Sequence, residues 1–474
     1  MPESPTTRLA IIGGGPGGYA AAFLAADLGL QVTLIDQEPQ PGGVCLYHGC
    51  IPSKALLHVA KVLTEAQQAA DWGIHFPSPQ IDLEKLRTWK RQVVRKLTGG
   101  LGQLTGQRKI RFVQGRACFL DAQTLQVQTV SGEEEILSFT HAIIATGSRP
   151  ATLPCLPLHS SRIMDSTAAL DLPSIPQNLL VVGGGYIGLE LGTVYAALGS
   201  RVSVVELTEG LLPGVDRDLV APLSKRLAEK FHSIMLRTEV VDAKEETQGI
   251  RVILKGSEVT EPEQIFEKVL VAVGRKPNSE DLGLENTRVE VDRRGFISVD
   301  EQRRTREPTI YAIGDVTGEP MLAHKASHEG RVAVEAIAGH KVAFEPHAIP
   351  AVVFTDPEIA WCGLTETRAR TEQRPVRVVR FPWGASGRAI TLGRSEGMTK
   401  LLIDPETERI LGVGIVGPGA GELIAEGVLA VEMAALASDL KLTIHPHPTL
   451  SETLMEAAEV FFGQSTHLYR PRRP

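Results

Sequence analysis

One arrangement occurs twice in this chain, and it restricts the possible folds more than any other feature. Apolar residues from Arg8 to Ile12 lead into Gly13-Gly14-Gly15-Pro16-Gly17-Gly18. A small-residue helix from Tyr19 to Leu28 follows, then a second apolar run, Gln31 to Ile35, ending in Asp36. The order returns 170 positions later: Leu179 to Val182, Gly183-Gly184-Gly185-Tyr186-Ile187-Gly188, a helix from Leu189, and Arg201 to Val205 ending in Glu206. In both copies the acid stands 18 residues past the last glycine. A glycine turn alone is weak evidence; strand, turn, helix, strand and acid in this order define a dinucleotide-binding βαβ unit. Gly13 and Gly183 make the tight turn, Gly15 and Gly185 let backbone approach a pyrophosphate, and Gly18 and Gly188 let helix pack on strand. The helix N-terminus then faces the phosphates. The competing reading, two glycine-rich turns without ligand, leaves the repeated distance to the acid unexplained.

Asp36 and Glu206 are placed to accept hydrogen bonds from ribose hydroxyls. A carboxylate at Glu206 would repel a 2′-phosphate, and Arg201 opens its strand instead of following the acid, so the second unit favours NAD over NADP. The length, 474 residues, predicts roughly three domains. A net charge of −7 gives no electrostatic case for nucleic acid. No apolar run approaches the roughly 20 residues of a membrane span, so no membrane insertion is expected. The first strand begins near Arg8, leaving no room for a signal or transit peptide, and a cytoplasmic protein is expected.

Five cysteines suit a reducing compartment, where a close pair is redox-active or metal-binding more often than structural. Cys118, Cys155 and Cys362 are isolated, whereas Cys45 and Cys50 stand five positions apart in Gly42-Gly43-Val44-Cys45-Leu46-Tyr47-His48-Gly49-Cys50-Ile51-Pro52-Ser53-Lys54. Zinc wants four ligands and no second cysteine pair exists, so no metal is expected. A disulfide needs Cα atoms within roughly 7 Å, and five residues of regular helix already rise roughly 7.5 Å. A bridge here therefore requires distorted backbone, for which Gly49 and Pro52 supply the means. Strained bridges are the easily reduced kind, so the pair reads as a redox switch.

From Ala348 onward the pattern changes to short strands (349–354, 376–381, 398–403 and 410–416), a helix from Glu422 to Leu436 and a last helix from about Leu450 to Phe462. This is an α+β domain without a nucleotide turn. Thr449-x-x-Glu452 fits a capping box, so Glu452 is placed to cap the last helix, and His447 beside Pro448 is placed to line a turn. His445 reads as structural, and Arg470-Pro471-Arg472-Arg473-Pro474 as a solvated basic end.

Several landmarks occur together: the Cys45–Lys54 run, Ala145-Thr146-Gly147, Gly274-Arg275-Lys276-Pro277-Asn278, Ile310-Tyr311-Ala312-Ile313-Gly314-Asp315, and His445-Pro446-His447-Pro448-Thr449-Leu450-Ser451-Glu452. From about Arg8 to about Phe462 the chain thereby resembles the dihydrolipoamide dehydrogenases, flavin disulfide oxidoreductases of the class that includes glutathione and mercuric reductases. Pro52-Ser53-Lys54 resembles the lipoamide branch, and no extra cysteine pair sits at the C-terminus as in mercuric reductases. The runner-up is a related flavin reductase of another disulfide or of a quinone.

The resemblance implies an α/β fold with two Rossmann-like dinucleotide-binding domains and a C-terminal α+β dimerisation domain. The expected boundaries are 1–150 for the FAD-binding domain, 151–275 for the NAD-binding domain, 276–346 for a segment completing the FAD domain, and 347–474 for the interface domain. FAD is expected among Gly13, Gly15, Gly18, Asp36, Lys54, Thr146, Gly147, Asp315 and Ala323, with Asp315 on the ribityl chain. NAD is expected at Gly183, Gly185, Gly188, Glu206 and Gly274. Lys54 would lie near the flavin ring and pair with Glu190. Cys45 would take the attack of the substrate dithiol, Cys50 would lie nearer the flavin, and His447, oriented by Glu452, would reach in from the other subunit of a homodimer as acid/base. The partners implied are lipoyl domains and the acyltransferase core of 2-oxoacid dehydrogenase complexes. Departures from the family are Val44, Tyr47-His48 between the cysteines, and Asp36 in place of a more usual Glu.

Overall fold

A computed structural model describes residues 6–157, 159–257 and 259–469; the basic end from Arg470 lies outside them. In the first sheet Thr6–Ile12 pairs in parallel with Val32–Asp36 and Glu134–Ile144, Val32–Asp36 pairs in parallel with Arg111–Asp121, and Thr124–Thr129 joins the two long strands antiparallel. Ile310–Ala312 returns from far downstream to pair in parallel with Glu134–Ile144. Leu9, Ala10, Ile11 and Leu34 are completely buried, as befits parallel strands covered on both faces.

The second sheet repeats the first residue for residue. Leu9 to Ile12 pair with Val32 to Ile35, and Leu179 to Val182 pair with Val202 to Val205 in the same register. Lys268–Val271 adds to the other side of Asn178–Val182. The crossings between the two sheets, Ser148–Pro150 and Arg275–Pro277, form their own antiparallel pair. A five-stranded sheet closes the chain, in the order Ala351–Val353, Ile359–Gly363, Ile410–Val416, Met398–Ile403, Arg377–Pro382, with helices Ala420–Glu432 and Glu452–Phe462 packed on it.

Two helices begin earlier than the sequence pattern suggests. The first is Pro16–Asp27 and its counterpart Tyr186–Ala197. Gly17 and Gly18, read as turn, belong to the first helical turn, with Pro16 at its opening position where a missing N–H costs nothing. Glycine is needed there for proximity: a Cβ on Gly18 would lie 1.8 Å from the Gly13 carbonyl oxygen. The helix expected over 422–436 breaks after Glu432, with Ala434 at φ +52, and Ala437–Leu442 follows as a separate helix. Among the described residues no helix is long and apolar enough to cross a membrane.

A buried charge cluster ties the second nucleotide unit to the C-terminal sheet. Lys400 Nζ lies 2.7 Å from Asp216, 2.7 Å from Asp218 and 3.0 Å from Glu366, with the lysine 1% exposed. Burial opposes ionisation of Asp216 and Asp218, but the Lys400 bonds outweigh it and hold both carboxyls below their usual range. Removing Lys400 would leave the buried Asp216 without a cation, although Arg380 stays on Asp218 and Glu366. Lys400→Met should therefore cost about 3–5 kcal/mol, read as a lower midpoint in urea unfolding; an unchanged midpoint would show that the cluster contributes nothing.

Candidate functional site

A cavity of about 430 Å³ opens where the first glycine turn, the cysteine helices, the start of the second nucleotide helix and the segment around Asp315 converge. Of the residues singled out from the sequence, Gly13, Gly15, Asp36, Cys45, Cys50, Lys54, Thr146, Gly147, Glu190, Asp315 and Ala323 line it. Gly18 does not, because it packs behind the turn.

The turn forms a backbone cradle. Gly13 has φ +108, and a Cβ there would lie 2.2 Å from the Ala145 carbonyl oxygen; one on Gly43 would lie 2.5 Å from Gly15 Cα. Gly15 itself faces open space, with only Gly43 Cα at 4.0 Å, and it caps helix Pro16–Asp27. Exposed backbone at a helix N-terminus fits the diphosphate of a bound FAD. In the second unit Gly183 and Gly188 are packed in the same way, while Gly185 and Gly274 face open space.

The paired acids do more than the sequence pattern suggests. Asp36 accepts the Gly14 N–H, and the Glu38 N–H at 2.8 Å. Glu206 accepts the Gly184 N–H at 2.7 Å and the Thr208 N–H at 2.8 Å. Each carboxylate thus ties its strand end to its glycine turn, which gives the fixed spacing a structural cause beside any ribose contact. Burial pushes the Asp36 carboxyl up, against the pull of the Glu38 and Gly14 N–H groups.

The cysteines belong to two helices, Gly43–His48 and Cys50–Gln68, broken at Gly49. Gly49 has φ −144 and ψ −111, and a Cβ there would stand 3.0 Å from the Val44 carbonyl oxygen. This corrects the sequence reading in one respect. Pro52 is not a source of distortion; it sits in the first turn of the second helix, where no N–H is needed. Both thiols are free and hydrogen-bonded to each other. The bond from Cys45 lowers Cys50 to about 7, against burial and with help from the Lys54 charge. Cys45, as donor and half-buried, is pushed up. Cys50 also opens a 19-residue helix, whose N-terminus favours a thiolate. It is open to the cavity, whereas Cys45 is more enclosed.

One turn after Cys50, Lys54 Nζ lies 2.7 Å from Glu190 Oε2 and 4.6 Å from the centre of the Phe354 ring. Glu190, itself buried, also accepts the Phe354 N–H at 3.0 Å. Lys54, Glu190 and Phe354 come from three separate parts of the chain, so this bond locks them together beside the thiols. Asp315 accepts from Ser148 Oγ at 2.5 Å, and Ser148 Oγ in turn accepts from Arg275 Nε at 2.7 Å.

Tyr186, Ser148 and Arg275 line the cavity but did not stand out in sequence. Burial raises the Tyr186 phenol to about 12. The available signal was an aromatic residue at the position Pro16 holds in the first glycine turn. His48 Nε2 meets Glu38 Oε1 at 2.8 Å on the cavity's edge.

His447 and Glu452 do not line the cavity. Glu452 Oε1 holds His447 Nδ1 at 2.9 Å while Oε2 accepts the Thr449 N–H at 2.7 Å; the second half of the expected capping box is missing, since Thr449 Oγ1 donates to the Pro446 carbonyl and the helix opens after Ser451 without a side-chain cap. Burial works against the Glu452 charge, but the Thr449 N–H and the His447 ring hold the carboxyl below its usual range. The His447 side chain is 71% exposed. His445 is pinned, Nδ1 to the Thr443 carbonyl at 2.9 Å and Nε2 to Glu426 at 2.8 Å. Leu429, Met433, Leu442 and Ile444 are exposed apolar side chains of this same region, and Ile444 is 95% exposed. An apolar surface of this kind marks an interaction site.

The sequence model of the pyridine nucleotide-disulphide oxidoreductases matches residues 7–330, and that of their dimerisation domain matches residues 349–458. The C-terminal domain is thus a dimerisation domain, which supports a homodimer. It is 48% identical over 468 residues to a dihydrolipoyl dehydrogenase of Vibrio parahaemolyticus, covering 99% of this chain and 98% of that one. It is 49% identical over 468 residues to one of Haemophilus influenzae at the same coverage. Among solved structures, LpdA from Mycobacterium tuberculosis superposes with a TM-score of 0.89 at 28% identity, over 96% of this chain and 99% of that one. The twofold nucleotide unit, the thiol pair between its copies and these matches along the whole chain agree, and the chain belongs to the dihydrolipoyl dehydrogenases of the pyridine nucleotide-disulphide oxidoreductase family.

Proposed function

We propose that Cys45 with Cys50, Lys54 with Glu190, and His447 with Glu452 divide the oxidation of dihydrolipoamide among themselves, and that His447 acts on the thiol pair of the other subunit. The reaction converts dihydrolipoamide to lipoamide and NAD to NADH, with FAD between them. Among the described residues the histidine that lines the cavity, His48, is bonded to Glu38, whereas the exposed His447 ring lies on the domain that pairs two chains. Glu452 holds Nδ1 as the N–H tautomer, which leaves Nε2 to take a proton from one substrate thiol. The substrate thiolate attacks Cys45 Sγ of the bridged pair, and Cys50 leaves as a thiolate. The second substrate sulfur then attacks the mixed disulfide at the substrate's own sulfur, closing lipoamide and releasing Cys45. Lys54 and the helix N-terminus hold the charge on Cys50. Bound among Gly13, Gly15, Asp36, Lys54 and Asp315, FAD would supply the two-electron carrier between the Cys45–Cys50 dithiol and NAD.

The observation that carries this reading is the thiol pair itself, Cys45 and Cys50 across the Gly49 break, with Cys50 opening a helix one turn before Lys54 in a cavity walled by a dinucleotide turn. The domain division proposed is 1–150 with 276–346 for FAD, 151–275 for NAD and 347–474 for the interface. Lipoyl domains of 2-oxoacid dehydrogenase complexes, in the cytoplasm, are the proposed source of the dithiol. Turnover followed by absorbance tests the assignment. Dihydrolipoamide with NAD should yield NADH, while glutathione disulfide with NADPH should give no reaction; the reverse pattern would replace the dithiol substrate with another disulfide and overturn the role given to Glu206.

A further inference from the structure

Backbone acceptors serve the end of strand Ile310–Ala312 one after another. The Ala312 N–H goes to the Arg303 carbonyl at 3.0 Å and the Ile313 N–H to the Ile144 carbonyl at 2.9 Å. The next N–H, that of Gly314, is taken by a side chain instead, Glu329 Oε2 at 2.6 Å. Gly314 has φ +77, so the chain turns there, and Asp315 follows directly on the cavity wall.

Glu329 is completely buried, and a carboxylate in that position needs partners. Its other oxygen, Oε1, has two: Arg303 Nη1 at 3.0 Å and Lys325 Nζ at 2.9 Å. Arg303 stands in turn over the Phe344 ring, 5.0 Å from its centre, and Lys325 Nζ donates to the Gly318 carbonyl at 3.3 Å. None of these three charges has a place in the reaction so far.

Helix Ala323–Ile337, which carries Glu329, also touches the first glycine turn. Ser327 Oγ donates to the Pro16 carbonyl at 3.2 Å, and a Cβ on Gly330 would lie 2.7 Å from the Gly17 carbonyl oxygen. One rigid element thus meets the diphosphate cradle on one side and, through Glu329, the turn that carries Asp315 on the other.

We propose that Glu329 is a positioning residue for FAD: its carboxylate fixes the Gly314 peptide and so sets Asp315 at a constant distance from the diphosphate cradle. This rests on the place given above to Asp315 in the flavin site. The residue type follows from its partners. All three are donors, so the side chain has to accept at both oxygens. Glutamine would turn an N–H either toward Gly314 or toward the two cations. Aspartate keeps a charge for Arg303 and Lys325 but is one methylene too short to reach Gly314 as well.

The test is release of FAD from the holoenzyme dimer, followed by the rise in flavin fluorescence. Glu329→Gln and Glu329→Asp are each compared in the wild-type and in an Asp315→Ala background. Both single variants should release FAD at least about tenfold faster, the scale of one lost hydrogen bond to a charged group. In the Asp315→Ala background the same substitutions should change release by less than about twofold, because the pin has nothing left to position. The two variants break the same contact for opposite reasons, so either one gives the answer if the other does not fold. Equal acceleration in both backgrounds overturns the proposal, since Glu329 would then only stabilise the domain; release at the wild-type rate by a single variant does so too. Failure of the underlying reading has a separate signature: Asp315→Ala alone would hold FAD as long as the wild type does.

Discussion

The Cys50→Ser protein should keep its FAD and its fold but oxidise dihydrolipoamide at least about 10⁴-fold more slowly, the scale of losing an essential nucleophile. The fold is safe because a serine at the first position of helix Cys50–Gln68 replaces sulfur with oxygen and leaves Gly49, Lys54 and Glu190 in place. Chemistry is lost because no bridge forms, so the substrate thiolate has no disulfide to attack. Cys45→Ala separates the two thiols. It removes the hydrogen bond that is the largest cause of the low Cys50 value, so the remaining thiol should ionise at higher pH than the wild-type pair's first step near 7. Thiolate absorbance of the reduced proteins reads this directly. Ordinary turnover by Cys50→Ser would dispose of the thiol mechanism altogether.

His447→Gln should slow dithiol oxidation by about 10²–10⁴-fold, the range for losing a positioned acid/base, while NADH oxidation by an artificial acceptor stays near the wild-type rate. The contrast follows from where the ring stands. His447 is outside the cavity and mostly exposed, so its loss costs little stability and leaves the dinucleotide walls intact. Glutamine can still donate an N–H to Glu452, so the Glu452 bond to the Thr449 N–H survives. Equal loss of both activities would mean damage to the dimer or to FAD retention, and His447 would no longer be the base.

What was legible in sequence was what repeats or alternates locally. The duplicated units showed through because strand, turn and acid lie within 29 residues of one another, and the strands Arg201–Val205, Met398–Ile403 and Ile410–Val416 fall where their apolar runs place them. Helix starts were misplaced because glycine marks both a turn and a close helix contact, and only the neighbour across the gap tells which. The short strand Ile310–Ala312 was visible through a motif and not through periodicity, being three residues long. The thiol pair was plain, but its polarity, Cys45 donating to Cys50, depends on which cysteine begins a helix. Lys400 gave no warning, and Arg275 stood in a landmark run without showing its bond to Ser148. Their partners lie 184 and 127 positions away, and pairing across a fold leaves no local pattern.

The pairing of Ser148–Pro150 with Arg275–Pro277 has a consequence for how such a molecule is assembled. The chain leaves its first sheet and comes back to it through a single gate, two strands about 4.8 Å apart. Everything between is an insertion whose ends touch. Such a passenger is joined to the first sheet at one place, yet it brings Tyr186 and Glu190 to the walls around the thiols, so any exchange of it has to carry those two side chains along. Ancestral gene duplication followed by nesting of one copy within the other fits a gate of this kind, and an engineered replacement of the nicotinamide-binding unit would have to close the gate and restore the Lys54–Glu190 bond together.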